Sequence, residues 1–188
     1  MNGKRLFYTL RLFTISTGTK RAEYLRSHGV FSKMGHNCVF MDRKVPLYPE
    51  LIKIGDNVHF SSNVTLATHD IVHIMLNNTE HSVGGMVNEH VGCIEFGDNI
   101  YIGTNSTILY DTKIGSNVII GAGSIVTKDI PNNSVAVGTP ARVIASFDDY
   151  VNRLQSRKML TFKKKNGIID SEDCSGIWKK FEQEHTDL

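Results

Sequence analysis

The chain has 188 residues, of which 40% are apolar and 21% are charged, which fits one folded domain with a short appendage and excludes wholesale disorder. A formal charge of +2 leaves no strongly basic field, so no nucleic-acid partner is expected. Three widely spaced cysteines without a CxxC pair favour neither a disulfide framework nor a zinc site. They indicate a reducing compartment, and we expect a cytoplasmic protein.

Residues 1–30 are predicted to form an N-terminal helical segment. A basic pair precedes an apolar stretch over residues 6–15, and Arg11 interrupts that stretch, unlike the continuous core of a signal peptide. Apolar residues recur at helical spacing, at Leu6, Leu10 and Phe13. We expect a basic amphipathic helix that packs on its own protein, with contact to a membrane surface as the alternative. No run is long enough to cross a membrane.

A period of six residues dominates the middle of the chain. From Phe96 the hexads are FGDNIY, IGTNST, ILYDTK, IGSNVI, IGAGSI and VTKDIP, and the same phase begins seven hexads earlier at Ile54. Each first position is apolar and would point inward, whereas small residues and asparagine would turn the corners. The period predicts an all-β solenoid of stacked parallel coils over residues 31–145. A β-sandwich is disfavoured because its turn signals recur every ~8–12 residues.

Three features together resemble one known family: the hexads, the segment Thr68-His69-Asp70 and the ending IGAGSIVTKDIPNNSVAVGTPARVI. They are similar to the hexapeptide-repeat acetyltransferases, in particular the maltose/galactoside and capsular-polysaccharide O-acetyltransferases. The resemblance implies a left-handed parallel β-helix with three hexads per coil. It also implies a homotrimer with active sites between subunits, acetyl-CoA as the co-substrate and a saccharide as the acceptor.

Acetyl transfer needs a base that takes the proton of the acceptor, and His69 is the candidate. His69 closes the last hexad before the repeat stops, and it follows Thr68 as the catalytic histidine does in the family resembled. The adjacent Asp70 would point to the opposite face of a strand, so it is disfavoured as the partner that orients His69. Glu89 and Glu95, on the return from the loop, could both reach back to His69; Glu89 is favoured for that role, with a backbone carbonyl as the alternative.

Residues 70–93 interrupt the hexads and form a predicted acceptor loop. The segment is too long for a corner, and long loops on a rigid scaffold usually carry binding function. Its candidate acceptor contacts, together with one outside it, are Asp70, His73, Asn77, His81, Asn88, His90 and Tyr101. Tyr101 stands where relatives often carry tryptophan. His69 and His73 have the i, i+4 spacing of metal ligands on a helix but straddle a strand end, so no metal site is expected.

The coenzyme A side is predicted from the last hexads. Small residues there would expose backbone groups beside a groove, where the pantetheine arm can bond like an added strand. A hydroxyl and two cations suit the coenzyme A phosphates. By resemblance, the Thr104 N–H is a candidate donor to the oxyanion. The candidates on this side are Gly103, Thr104, Gly121, Ala122, Thr127, Lys128, Pro140 and Arg142.

Residues 146–188 are predicted to form a C-terminal helix, which would cap the solenoid, and a tail of unassigned role. Three alternatives to a saccharide O-acetyltransferase stay open at this stage. Similar folds also N-acetylate nucleotide-linked amino sugars, which makes a nucleotide sugar the alternative acceptor. A γ-type carbonic anhydrase would hold zinc through histidines on successive coils, whereas the histidines here cluster in one loop. A scaffold without catalytic activity is the third alternative.

Overall fold

The computed structural model describes residues 3–79, 86–157, 161–165 and 167–186. His81 and the centre of the predicted acceptor loop therefore lie outside the described residues. The chain divides into two compact units, Met1–Tyr150 and Val151–Leu188. None of the described helices is long and apolar enough to cross a membrane.

Two helices precede the coils. They are α1 (Gly3–Phe13) and α2 (Gly18–Ser27). Thr17 caps α2 by accepting a hydrogen bond from the Lys20 N–H at 3.2 Å. Arg21 is buried and donates to the carbonyls of Ile15, Phe40 and Met41 at 2.8–2.9 Å. Its guanidinium therefore ties the helical segment to the first coil through bonds that compensate for its burial.

Short strands build three parallel sheets that form the faces of a solenoid. The first sheet has the order β1-β3-β6-β9, the second β2-β4-β7-β10-β12-β13 and the third β5-β8-β11. All neighbours in these sheets pair in parallel except β12 and β13. The strands are β1 (Lys33–Met34), β2 (Val39–Phe40), β3 (Ile52–Ile54), β4 (Val58–Phe60), β5 (Thr65–Ala67), β6 (Ile94–Phe96), β7 (Ile100–Ile102), β8 (Thr107–Leu109), β9 (Thr112–Ile114), β10 (Val118–Ile120), β11 (Ile125–Val126), β12 (Ser134–Gly138) and β13 (Ala141–Ser146).

The register of the sheets shows three hexads in each coil. Ile100 pairs with Val118, three hexads further along the chain, and the same offset is repeated on the other two faces. Ile52 pairs instead with Ile94, and the whole interruption at 70–93 lies between these two residues. Without that interruption, the chain between them would again be one coil of three hexads. The loop therefore leaves and re-enters the solenoid without disturbing the register.

The interior is filled by the aliphatic first positions of the hexads. Ile54, Ile102, Ile108, Ile114 and Ile120 are fully buried, in agreement with the predicted inward column. Asparagines turn the corners with left-handed backbone conformations, with φ between 56° and 60° at Asn57, Asn63, Asn99, Asn105 and Asn117. Neighbouring coils add side-chain bonds along one of these columns, from Asn57 to Asn99 at 2.9 Å and from Asn99 to Asn117 at 3.0 Å.

The parallel stack ends at an antiparallel hairpin of β12 and β13. Helix α4 (Phe147–Ser156) follows, and the Phe147 N–H donates to the Asn133 carbonyl at 3.1 Å. The second unit contains a hairpin of β14 (Lys164–Lys165) and β15 (Ile168–Ile169), then helix α5 (Ser171–Glu184). Asp170 caps α5 by accepting from the Glu172 N–H at 3.0 Å.

Removing one inward side chain should destabilise the solenoid. Ile102→Ala leaves a cavity at a fully buried position, and we expect the free energy of unfolding to fall by about 2–5 kcal/mol. The control is Ile144→Ala, since Ile144 is 64% exposed and the change there should stay within about 0.5 kcal/mol. Urea unfolding at equal protein concentrations measures both, and equal losses would contradict the inward column.

Candidate active site

His69 lies where the chain leaves the coils, directly after strand β5. Thr68 is buried, and its hydroxyl donates to the Leu47 carbonyl at 2.7 Å. The two ends of the interruption are bonded to each other, because the Gly92 N–H donates to the Thr68 carbonyl at 2.9 Å and the Asp70 N–H to the His90 carbonyl at 3.1 Å. These bonds hold His69 on rigid backbone at the root of the loop.

The His69 ring is half-buried beside an aromatic neighbour. Its Nδ1 atom is buried and has no hydrogen-bond partner among the described residues. The Tyr48 ring meets it edge-on, with ring centroids 5.5 Å apart and planes at 80°. The Tyr48 hydroxyl in turn approaches the Glu89 carboxylate at 3.4 and 3.5 Å, and the negative charge of Glu89 raises the pKa of Tyr48. Tyr48 therefore lies in space between His69 and Glu89 and contacts both.

Glu89, the residue expected to orient His69, has Tyr48 as its partner, and no hydrogen bond joins it to His69 Nδ1 within the described part of the chain. Tyr48 was not foreseen from the sequence. The available signal was its place between Pro46 and Pro49 in the irregular segment, where its own φ is 49°. The direct role of Glu89 at His69 stays a prediction.

The Asp70 carboxylate is bonded to groups other than His69, as expected for adjacent residues on a strand. It accepts from the Tyr110 hydroxyl at 2.7 Å and from the Val72 N–H at 3.1 Å. The hydrogen bond from Tyr110, followed by that from Val72, lowers the pKa of Asp70. The second bond lies at the start of helix α3 (Val72–Asn77), so Asp70 fixes how the loop begins.

The other candidate acceptor residues of the loop differ in their surroundings: some contact the coil or the loop backbone, and others are exposed. His90 contacts the coil, with Nε2 3.0 Å from Asp111 Oδ2 and its ring 4.4 Å from that of Tyr110. Asn77 closes the described ends of the loop through two bonds with the Val87 backbone, at 2.8 and 2.9 Å. Asn88 is exposed, whereas His73 on α3 has a buried Nδ1 for which the described residues offer no partner. Within 3–79, 86–157, 161–165 and 167–186, no three His, Cys, Asp or Glu side chains form a metal-binding group.

A cleft of about 480 Å³ opens beside His69 and is within the usual range for small-molecule sites. Its polar lining comes from Arg5 on α1 and from Asp42 and Lys44 on the segment that follows β2, and its apolar floor includes Leu66 of β5. Sequence reasoning missed the three polar residues. They belong to segments far from His69 along the chain, and only the fold brings them beside it.

Four of the predicted coenzyme A residues, Gly103, Thr104, Gly121 and Ala122, lie at another corner of the solenoid. A Cβ on Gly103 would overlap the Ala122 backbone, and one on Gly121 would stand 2.6 Å from Val137 Cγ1, so both positions require glycine. The Gly123 N–H donates to the Thr104 carbonyl at 2.8 Å, which stacks the two corners. Ala122 and Thr104 themselves are exposed.

The end of the solenoid completes this corner. Thr139, which precedes Pro140 through a cis peptide bond, donates from its hydroxyl to the Gly123 carbonyl at 3.4 Å. Arg142 is exposed and donates to the Ala141 carbonyl at 2.8 Å. Thr127 and Lys128 are also exposed, but they follow β11 and therefore lie at the end of the sheet β5-β8-β11 where His69 follows β5.

Within one chain, the His69 corner and the glycine corner stand at opposite ends of the sheet β5-β8-β11. His69 follows β5, whereas Thr104 precedes β8 and Ala122 precedes β11. A short strand of this kind spans about 10 Å, so the two groups are not adjacent in one protomer. Tyr101 lies on a different sheet, is 48% exposed, and accepts from the Ser61 hydroxyl at 3.2 Å.

Comparison with known proteins identifies the class. The sequence profile described as bacterial transferase hexapeptide (six repeats) matches residues 94–128. The galactoside O-acetyltransferase of Escherichia coli (strain K12) is 43% identical over 100 residues, which are 52% of this chain and 45% of that protein. The galactoside O-acetyltransferase of Lactococcus lactis subsp. lactis (strain IL1403) is 39% identical over 100 residues, with coverages of 52% and 44%. The chain thus spans a little under half the length of these two curated relatives.

One solved structure extends the likeness over most of the chain. A galactoside acetyltransferase in complex with coenzyme A is 28% identical, with a TM-score of 0.54, and the match covers 87% of this chain and 88% of that one. Over residues 94–128 the chain therefore carries hexapeptide repeats of the kind found in bacterial transferases. It is similar to the galactoside O-acetyltransferases, which confirms the resemblance inferred from its hexads and C-terminal motif.

The bond from Tyr110 to Asp70 gives a testable titration. Because the pKa of Asp70 is lowered in the folded state, its contribution to stability is complete above the ordinary aspartate value and is lost as the pH falls through the lowered one. Tyr110→Phe should move the Asp70 pKa upward, as measured by NMR of the carboxyl carbon. Tyr101→Phe is the control, and an Asp70 titration unchanged in Tyr110→Phe would contradict the assignment.

Proposed function

We propose that the protein is an acetyl-CoA-dependent O-acetyltransferase that acts on a saccharide hydroxyl. The observation that carries this proposal is His69, held at the root of the loop beside a polar cleft of about 480 Å³. The similarity to galactoside O-acetyltransferases supplies the reaction class, and the relative solved with coenzyme A supplies the co-substrate.

In the proposed reaction His69 acts as the general base. Its imidazole takes the proton from the acceptor hydroxyl as the oxygen attacks the thioester carbonyl carbon. The carbon–oxygen bond forms, the carbon–sulfur bond breaks, and the imidazolium returns the proton to the leaving thiolate. The products are an O-acetyl ester and free coenzyme A. The Thr104 N–H, on an exposed residue, is the proposed donor to the tetrahedral oxyanion.

Tyr48 is the proposed positioning residue for His69. Its ring edge packs against the imidazole and restricts how the ring rotates, and the Glu89 carboxylate holds the Tyr48 hydroxyl. Glu89 therefore acts on the base through Tyr48. Nε2 would be the basic atom in the tautomer that carries its proton on Nδ1, and the described residues offer Nδ1 no acceptor.

The donor groove is the proposed site of the pantetheine arm. Gly103, Gly121 and Ala122 keep one corner free of bulky side chains, and Lys128 and Arg142 offer cations to the phosphates. Thr127 and Pro140 are the remaining proposed contacts to coenzyme A.

The separation of that corner from His69 supports a site shared between protomers, and the family resembled suggests a homotrimer of left-handed coils. A neighbouring protomer would bring its own donor corner to the His69 of the first, so that each site is completed across an interface.

The acceptor is proposed to enter the cleft lined by Arg5, Asp42 and Lys44, whose charges suit a molecule rich in hydroxyl groups. Asp42 already uses its carboxylate to accept from the Asn63 and Val64 N–H groups at 2.8 and 2.9 Å, so its orientation is fixed before a ligand binds. The remaining proposed acceptor contacts are Asp70, His73, Asn88 and Tyr101.

Removing the proposed base should slow turnover strongly and spare the binding of coenzyme A. We expect His69→Gln to lower kcat by about 10²–10⁴-fold, measured as coenzyme A release with a panel of sugars, amino sugars and nucleotide sugars. Binding of coenzyme A, followed by calorimetry, should be retained, because the proposed groove for the pantetheine arm is formed by Gly103, Gly121 and Ala122 and keeps its shape in this variant. His59→Gln is the matched control, since His59 lies outside the site, with its Nε2 atom 3.3 Å from the Asn37 carbonyl oxygen.

Two results would overturn the function. One is a wild-type protein from which no member of the panel elicits coenzyme A release above the rate of hydrolysis. The other is a His69→Gln variant that retains the wild-type rate.

The position of Tyr48 makes a separate prediction. Tyr48→Phe keeps the ring but removes the bond to Glu89, and we expect kcat to fall about tenfold with the KM for acetyl-CoA unchanged. Glu89→Gln retains an acceptor oxygen and should keep most of kcat, whereas Glu89→Leu should match Tyr48→Phe. The double variant should lose no more than either single one.

The same variants can also show that Glu89 acts on His69 directly. If Glu89→Leu lowers kcat much further than Tyr48→Phe does, Glu89 acts on His69 directly and Tyr48 is not the intermediary. An unchanged kcat in Tyr48→Phe would likewise exclude Tyr48 as a positioning residue.

A further inference from the structure

Helix α1 is fixed to the solenoid along one side. Leu12 is fully buried, and the Thr9 hydroxyl accepts from the Val45 N–H at 3.3 Å. Arg5 Nε donates to the Val45 carbonyl at 2.9 Å, and Arg43 donates to the Phe13 carbonyl at 2.8 Å. These contacts along the helix set its rotation, so the opposite side faces outward.

The outward side of α1 is apolar. At about 100° per residue, four large side chains fall within an arc of about 120° opposite Leu12. They are Leu6, Phe7, Leu10 and Phe13, which are 40%, 61%, 59% and 61% exposed. We call these four residues the α1 stripe. An aligned group of this kind on an anchored helix differs from singly scattered apolar residues, which need no explanation.

The N-terminal part of the sequence, which contains α1, carries a net positive charge. Residues 1–50 contain nine Lys or Arg and three Asp or Glu, a formal charge of +6, whereas residues 51–188 contain twelve and sixteen, a charge of −4. The sequence of α1 contains no acidic residue. On the helical projection Lys4 and Arg11 border the stripe on one side. The apolar stripe therefore lies within the positively charged part of the sequence.

We propose that the α1 stripe docks the protein onto an anionic lipid surface. The apolar side chains would enter the boundary between headgroups and acyl chains, while the flanking cations meet the lipid phosphates. A second copy of this chain bound stripe to stripe is the less favourable occupant, because that contact would bring two segments of charge +6 together. Anionic lipid complements both the apolar and the charged part.

The experiment measures binding of the full chain to vesicles. Vesicles of phosphatidylcholine alone are compared with vesicles of equal parts phosphatidylcholine and phosphatidylglycerol, by co-sedimentation at low and high salt. We expect binding to the anionic vesicles that weakens with salt. Phe7→Ser/Leu10→Ser should reduce the partition coefficient at least about tenfold, and Lys4→Gln about fivefold.

The control variant changes apolar residues that are as exposed as those of the stripe but lie elsewhere in the chain. Ile144→Ser/Ile168→Ser changes side chains that are 64% and 73% exposed, and it should bind as the wild type does. Far-UV circular dichroism and a thermal melt establish that each variant is folded. A native Phe7→Ser/Leu10→Ser variant that still binds would overturn the proposal, as would equal binding to both kinds of vesicle or no binding to the anionic ones. Wild-type self-association without lipid that Phe7→Ser/Leu10→Ser abolishes would assign the stripe to a second copy instead.

Discussion

The stacking of one aliphatic side chain per hexad on its equivalent in the next coil is the interaction on which this structure depends. Ile102 and Ile120 occupy equivalent positions in successive coils, and both are fully buried. A coil of three hexads cannot bury its own inward residues, so each coil is stable only against its neighbours. Every backbone group in the strands is then held at a fixed height along the stack.

That constraint explains how a long loop can carry a precise site. The segment from 70 to 93 is inserted between two paired strands, yet Ile52 still meets Ile94 in register. Bonds between Thr68 and Gly92 and between Asp70 and His90 close the loop at its base. The backbone at His69, at the base of the loop, is therefore held by the coils and by these bonds rather than by the loop itself.

The polar groups around the site act on one another in pairs. Glu89 raises the pKa of Tyr48, and Tyr110 lowers the pKa of Asp70. In each pair a tyrosine hydroxyl meets a carboxylate, and each carboxylate is thereby held in one orientation beside the loop. The donor corner is built differently, from the absence of side chains at Gly103 and Gly121. Charged groups therefore dominate around His69, whereas shape defines the glycine corner.

The sequence by itself determined the coils, because a period of six with apolar first positions leaves few other ways to bury those residues. It also determined where the period breaks, and hence that His69 stands out among eight histidines. Local signals were sufficient for the asparagine corners, whose left-handed φ is a property of the residue itself.

Only the tertiary structure placed Tyr48 between His69 and Glu89, since the three residues come from separate segments of the chain. It also set the rotation of α1 about its axis. Hydrogen bonds to Val45 and from Arg43 determine that rotation, whereas helical periodicity alone does not. The hexad period specifies the scaffold because every coil repeats the same contact. The site depends on contacts that occur once, and a single contact between distant segments leaves no pattern in the sequence.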